Sequence, residues 1–348
     1  MKFNSLKTKL LLLLLSIVIF SNVILGLIAY TTSKPALEAS VEQTITTIAE
    51  KIAEQVRLTN EREFHMLDVL ASMSVLRDPD VSVLEKTQLI LDAVKTDSHY
   101  ENIAFYGADG ISVTGEGQTI DFSNREYFKR AIAGEHFVSD PAISSVNNKL
   151  LMFYSVPVYN FENTKIIGVL CAVFHGDSLS DMCREIYIGK ESHPFVINMK
   201  SGRTVADADV KYVEDGQILK NDTNGEMNEA IVAAMRGETT YRFFFEPWRQ
   251  KNMVASFRPV GGDCDWAVFC MAPADEFFGS ITRMSVSMLV TVAVILVIAV
   301  ALSMVIISVS LKPLKSVEYS ITEIASGNAD LTRRIKVTTN DEIGNVVK

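Results

Sequence analysis

The residues best suited to recognising a small molecule sit in the stretch Asn124-Arg125-Glu126-Tyr127-Phe128-Lys129-Arg130-Ala131. The guanidinium of Arg125 is a planar fork that meets a carboxylate through two parallel N–H···O bonds. Tyr127 is spaced to lie near it at the start of a helix, where backbone N–H groups without intrahelical partners add donors. The competing use of Arg125 is a structural ion pair with Asp121 or Asp140. Lys149, just ahead of the apolar stretch 150–158, is either a second cation for a dicarboxylate or a solvated surface lysine.

Catalytic and metal chemistry find no comparable constellation. His65, His99, His136, His175 and His193 are scattered without metal-ligand spacing. His175-Gly176-Asp177-Ser178 contains the residue types of a hydrolytic triad, but neighbours along the chain do not adopt that geometry. No glycine-rich phosphate loop is present. The expectation is a protein that is not an enzyme and needs no metal or cofactor. Cys171, Cys183, Cys264 and Cys270 allow three disulfide pairings, or serve as buried small apolar residues.

The elements that must position Arg125 are those of an α+β domain. Residues 103–106 read as a strand and Gly107-Ala108-Asp109-Gly110 as a hairpin turn, its Asp-Gly pair supplying the positive φ. A helix over 125–133 stops at Gly134, and strands return at 150–158 and 166–174, predicting a sheet with one covered face. The plan recurs downstream. Strands are predicted at 195–198 and 201–205, a helix at 229–235 ending at Gly237, and strands at 240–245, 253–259 and 266–272. Ahead of both lies a long amphipathic helix with Leu37, Val41, Ile45, Ile48, Ile52 and Val56 at spacings of three and four. It extends to the region of Leu76, where Arg77-Asp78-Pro79-Asp80 ends it, and a shorter helix follows at 83–94. The apolar stripe suits packing within the chain or a seam between two copies.

Two uncharged runs frame this segment. Residues 10–33 and 284–311 contain no charge, and each exceeds the roughly 20 residues a helix needs to cross a bilayer. They account for a mean hydropathy of +0.19 in a chain with 22% charged residues. The first run is read as an uncleaved signal anchor, because no small-residue cleavage site follows Tyr30. Lys2, Lys7 and Lys9 precede the first run, and Lys312 and Lys315 follow the second, which places both ends in the cytoplasm. Of the net charge of −9, the flanks hold +3 and +1, leaving −13 on 34–283. An acidic outer segment argues against nucleic acid or anionic lipid as its partner.

On these residues the chain resembles the double Cache sensory domains of bacterial receptors. The resemblance is carried by Asp121 to Ala131, Gly134, Val138-Ser139-Asp140-Pro141, Val156-Pro157-Val158 and Gly168-Val169, then by Asn198, Gly202, Pro259 and Trp266 in a second module. It implies an α+β fold in which a long N-terminal helix carries two tandem PAS-like antiparallel-sheet modules, a distal one at about 77–177 and a proximal one at about 178–276. It also implies a ligand site formed by Arg125, Tyr127 and Phe128, with Asp140 and Lys149 as further members. Amino-acid-binding members of the family carry Trp in place of Tyr127, Tyr and Asp in place of Ala142 and Ser144, and Asp in place of Val173. Those residues hold the ligand's ammonium group, so a carboxylate without an amine, or another polar metabolite, becomes the expected ligand.

Residues 312–348 resemble an incomplete HAMP domain. Leu311-Lys312-Pro313-Leu314 opens a helix with Val317, Ile321 and Ile324 on one side, and Gly327 breaks it. Leu331 and Ile335 are spaced to tuck in from a connector, and Asp341-Glu342-Ile343-Gly344 starts a second helix. The run Ala329-Asp330-Leu331-Thr332-Arg333-Arg334-Ile335 is most similar to the HAMP domains of methyl-accepting chemotaxis proteins. The expected whole is a multi-pass membrane chemoreceptor, homodimeric, acting on a cytoplasmic adaptor and kinase through an output domain after Lys348. A histidine kinase or nucleotide cyclase with the same front end is the alternative, and an adhesin-like ectodomain a third that the HAMP-like tail disfavours.

The orientation is testable on intact cells. Cysteines introduced singly at Asp222 and Ser316 should be labelled by an impermeant maleimide at the first position and protected at the second. The reverse pattern overturns the topology.

Overall fold

In the computed structural model, which describes residues 6–94, 100–144, 147–218, 225–238, 240–246 and 250–325, the first helix (α1) spans Leu6–Ala71 and includes Pro35. Val41, Ile45, Ala49, Ile52, Val56, Asn60, Phe64 and Leu67 form one stripe along it, each at most 4% exposed. Steps of three and four put them on a single helical face. That stripe packs within the chain, the first of the two uses expected for it. The helix ends five residues before Leu76. Ser72 Oγ turns back to the carbonyl of Val69 (2.7 Å), Met73 adopts an extended ψ of 135°, and a short helix α2, Ser74–Arg77, follows. Local side-chain bonding by serine competes with helical continuation. A third helix, α3, spans Val83–Val94 as expected.

The first module is built on strands β1 (Tyr100–Gly107), β2 (Ile111–Val113), β3 (Thr119–Asp121), β4 (Phe137–Val138), β5 (Ala142–Ile143), β6 (Leu150–Tyr159) and β7 (Ile166–His175). They run antiparallel in the order β3-β2-β1-β7-β6-β4, with β5 also pairing β6. Helix α4 (Glu126–Ile132) lies on one face, where Tyr127, Phe128 and Ala131 pack with Tyr106, Val169 and Cys171. The other face meets α1. Tyr154 Oη donates to Asn60 Oδ1 (2.6 Å), and Phe64 meets the Tyr154 ring edge-on at 5.3 Å. The sheet is thus covered on both faces, not one. Residues 168–174 are buried without interruption, and a continuous apolar strand belongs in a doubly covered sheet.

The second module follows the helix α5 (Ser178–Glu185). Strands β8 (Phe195–Asn198), β9 (Thr204–Ala206), β10 (Thr240–Glu246), β11 (Lys251–Pro259) and β12 (Trp266–Pro273) form an antiparallel sheet in the order β10-β11-β12-β8-β9. A one-turn helix, α6 (Lys211–Glu214), and α7 (Gly225–Met235) complete it. On one face, Ala230, Ile231 and Ala234 of α7 bury Phe195, Phe244, Met253, Phe257 and Phe269. On the other, Ser256 is hydrogen-bonded to Thr46 of α1 at 3.3 Å. The last helix, α8 (Ala274–Ala325), begins at the residue after β12.

Of the described residues, those within 38–278 form one compact unit and 6–37 with 279–325 another. In the latter, the apolar part of α1 and the segment Val286–Val309 of α8 have mean hydropathies of 2.8 and 3.1 and are long enough to cross a membrane. Leu11, Leu14, Leu15 and Val18 face Ala299, Val300 and Ser303, while Gly26 lies against Met288, so the two segments run antiparallel. The first expected HAMP helix is continuous with α8. Its remaining features, at Gly327, Leu331, Ile335 and Asp341 to Gly344, lie outside the described residues.

Gly168 of β7 is paired with Gly107 of β1 and has no room for a side chain. A Cβ there would fall on the Phe105 ring and within 2.5 Å of the Tyr106 carbonyl oxygen. Gly168→Ala must push apart two central strands, an overpacking that costs about 1–3 kcal/mol. Thermal unfolding should show a clear loss of stability, and an unchanged midpoint would show that the pairing is looser than drawn.

Candidate functional site

Loop geometry presents Arg125. Gly110 at φ +83° ends the β1–β2 turn, and a Cβ there would lie 2.6 Å from Ser123 Cα, so only glycine lets the two segments touch. Phe122 N–H donates to the Gly110 carbonyl and Arg125 N–H to the Phe122 carbonyl, both at 2.9 Å. Asp121 accepts from Ser123 N–H (2.8 Å), and this bonding to Ser123 lowers its pKa. Arg125 then stands as the N-cap of α4 with φ −76° and ψ 139°, its side chain exposed. Among the described residues it forms no ion pair, with Asp121 and Asp140 both bonded elsewhere.

Behind Arg125 lies a cluster of packed aromatic rings. Tyr127 stacks on Phe153 (4.7 Å, 13°), Tyr106 stacks on Phe122 (4.8 Å, 28°), and the two tyrosine rings are 6.1 Å apart. Phe128 approaches Tyr106 at 6.4 Å from the core side. Ser155 Oγ holds the Tyr127 carbonyl at 2.8 Å, anchoring the first turn of α4 to β6. The hydroxyls of Tyr106 and Tyr127 and the Cys171 thiol form a hydrogen-bonded cluster beneath these rings. Burial raises the pKa of all three, that of Cys171 to about 12, so they act as neutral donors and acceptors. Val173, on the same face of β7 as Cys171, is 7% exposed and apolar. What this start of α4 offers an anion is one exposed cation, Arg125, set beside a packed aromatic core.

The structure brings three of the five expected residues together and places two elsewhere. Arg125, Tyr127 and Phe128 share the start of α4. Asp140 ties the modules to each other. It accepts from Trp266 Nε1 at 2.8 Å and from Asn198 Nδ2 at 3.0 Å. Lys149 is paired with Glu101, which also lies 3.6 Å from His175 Nε2. Tyr106, Phe122, Phe153 and Cys171 were not foreseen. Tyr106 and Phe153 sit in strands whose alternation could have marked them, but nothing local told which face α4 would cover.

A cleft of about 870 Å³ runs from α4 to the second module. Tyr127, Arg130, His136 and Asp140 line one wall, and Asn198, Lys200, Asp263 and Trp266 the other. Its cations are matched, Arg130 by Glu135 (2.6 Å) and Lys200 by Asp265 (2.6 Å). All four cysteines are free thiols.

The pattern of the Cache domain family matches residues 29–281, and that of the HAMP domain residues 305–348. Methyl-accepting chemotaxis protein PscA of Pseudomonas syringae pv. tomato is 25% identical over 285 residues, which are 80% of this chain and 43% of that protein. Methyl-accepting chemotaxis protein McpA of Pseudomonas putida is 23% identical over 63% of this chain and 32% of its own length. The chain thus spans less than half of the curated relatives it matches. Among solved structures, the ligand-binding domain of the Pseudomonas fluorescens chemoreceptor CtaA, bound to L-isoleucine, aligns with TM-score 0.55 at 11% identity, over 72% of this chain and 99% of that one. That of the Pseudomonas aeruginosa amino-acid chemoreceptor PctC, bound to GABA, gives 0.51 at 16% identity, over 66% and 99%. The extracellular domain of a protein assigned as a histidine kinase, rpHK1S-Z16, gives 0.52 at 17% identity, over 68% and 96%.

The contact at Asp140 predicts a measurable dependence. Trp266 is 1% exposed, so Asp140→Ala leaves a buried indole N–H without its acceptor, a loss of about 1–3 kcal/mol. The midpoint of thermal unfolding should fall and Trp266 emission should shift to the red. Unchanged values for both would show that the bond contributes nothing in solution.

Proposed function

The chain belongs to the Cache domain family, with a HAMP domain after it, and from that premise we propose that it is the sensing and relay part of a chemoreceptor. The ligand is a small polar metabolite carrying a carboxylate, bound outside the cell in the first module at Arg125 and Tyr127. The observation that carries this reading is Arg125 itself, exposed beside a packed aromatic cluster and without an ion partner among the described residues. Apolar Val173, with Ala142 and Ser144, leaves little to hold an ammonium group, which favours acids lacking an α-amine over α-amino acids.

Binding at the start of α4 pulls on the segment that runs through β4 to Asp140, and so on the second module. From there β12 passes directly into α8, and with it into the second apolar span and the HAMP domain. Output in this reading is control of a chemotaxis kinase through an adaptor, in a homodimer. The kinase-type extracellular domain with the same fold supports a second reading, in which the same front end drives a catalytic output.

The test is ligand binding by the full chain in nanodiscs, using mono- and dicarboxylates, L-isoleucine and GABA. Removing one partner of a desolvated charge pair costs about 2–5 kcal/mol, hence roughly 30- to several-thousand-fold in affinity. Arg125→Ala should lose affinity by that amount while unfolding at the same temperature. A variant that binds as well as the parent excludes Arg125 as the anchor, and one that unfolds assigns it a structural role.

A further inference from the structure

His136 follows α4 and lies between two carboxylates from two other parts of the fold. Its Nε2 is 3.1 Å from Asp68 Oδ1 of α1, and its Nδ1 is 3.5 Å from Asp263 Oδ2, in the loop between β11 and β12. The ring is stacked on Phe64 of α1 at 5.0 Å and 13°, which holds both nitrogens toward these oxygens. The imidazole thereby joins the first module, the second module and their shared helix. Other charged groups lining the same cleft are Glu126, Arg130, Glu135, Asp140, Lys200 and Asp265. Arg130 is held by Glu135, Lys200 by Asp265, and Asp140 by Asn198 and Trp266.

Only the doubly protonated ring can serve both carboxylates. An imidazolium donates from both nitrogens, whereas a neutral imidazole has one N–H and one lone pair. When the proton leaves, one carboxylate faces that lone pair and is repelled. Asp263 has the longer contact and the more exposed side chain, at 55% against 44% for Asp68, so it separates first.

We propose that His136 is a proton-binding site, separate from the carboxylate site at Arg125, through which external acidity closes the cleft between the two modules. The ligand is the hydronium proton, and the receptor reads pH in addition to its metabolite. The hydrogen bond to Asp68 raises the pKa of His136, partial burial opposes it, and Asp263 adds to the rise. A raised value means that the closed junction is fully present below about pH 6.5, the ordinary histidine value. It is lost as pH rises through the higher value set by the two carboxylates.

Trp266 lies three residues from Asp263 and reports on this junction. The chain has 2 tryptophans, and Trp248→Phe leaves Trp266 as the sole emitter. In that background the full chain in nanodiscs is titrated from pH 5 to 9. Emission should change in a single one-proton step with a midpoint above 6.5. The midpoint should fall in Asp68→Asn and in Asp263→Asn, and the step should vanish in His136→Gln. Asp263 is largely exposed, so its variant keeps the fold even where others do not. No step in the parent, a step that survives His136→Gln, or a midpoint unmoved in Asp263→Asn would each overturn the proposal.

Discussion

One apolar stripe on one helix holds both sheets. From Val41 to Val56, α1 closes the face of the second sheet that α7 leaves open, and from Asn60 to Leu67 it does the same for the first sheet. Neither sheet could stand with that face exposed, because its strands are apolar on both sides. Fully burying each large aliphatic residue of the stripe contributes about 1.5–3 kcal/mol. The helix is therefore a common core element, and a displacement of either module must move against it or carry it along.

Among the described residues, polar contacts across the two modules gather at two side chains. Asp140 gathers Trp266 and Asn198, and His136 gathers Asp68 and Asp263. Both lie on the short segment that leaves α4, His136 nine and Asp140 thirteen residues beyond Tyr127 in the chain. The same segment that begins at Arg125 thus ends at the contacts with the second module. Large packed faces resist deformation, whereas a junction of a few hydrogen bonds can be made or broken by a ligand or a proton.

The packed aromatic cluster explains how the start of α4 is held while Arg125 faces outward with no ion pair among the described residues. Tyr127 and Phe128 bury 8% and 4% exposed rings against the sheet, and Ser155 pins the Tyr127 carbonyl. These contacts hold the start of α4 without help from the Arg125 side chain. Asp121, one of the two acids expected to pair with it, is occupied by the Ser123 turn. What remains at the start of α4 is an exposed cation that forms no ion pair among the described residues.

Most of the fold was legible in the sequence because it rests on period and punctuation. The α1 stripe, the 150–158 and 166–174 strands and the three later strands of the second module announce themselves by spacing, and glycines 110, 134 and 237 mark turns at positive φ. The strands β4 and β5 and the one-turn helix α6 are too short to carry a period, and the end of α1 turned on a serine side-chain bond that no pattern shows. For the candidate site, residue type and spacing singled out Arg125 and Tyr127, the resemblance added Phe128, and the structure puts all three within one helical turn. Asp140 and Lys149 carried the right charge, but their partners, Trp266 and Glu101, come from 126 and 48 residues away. Pairing at that separation is decided by how the sheets fold onto α1. So was the placing of His136 between two carboxylates: the sequence supplied the imidazole, and only tertiary structure brought it both charges.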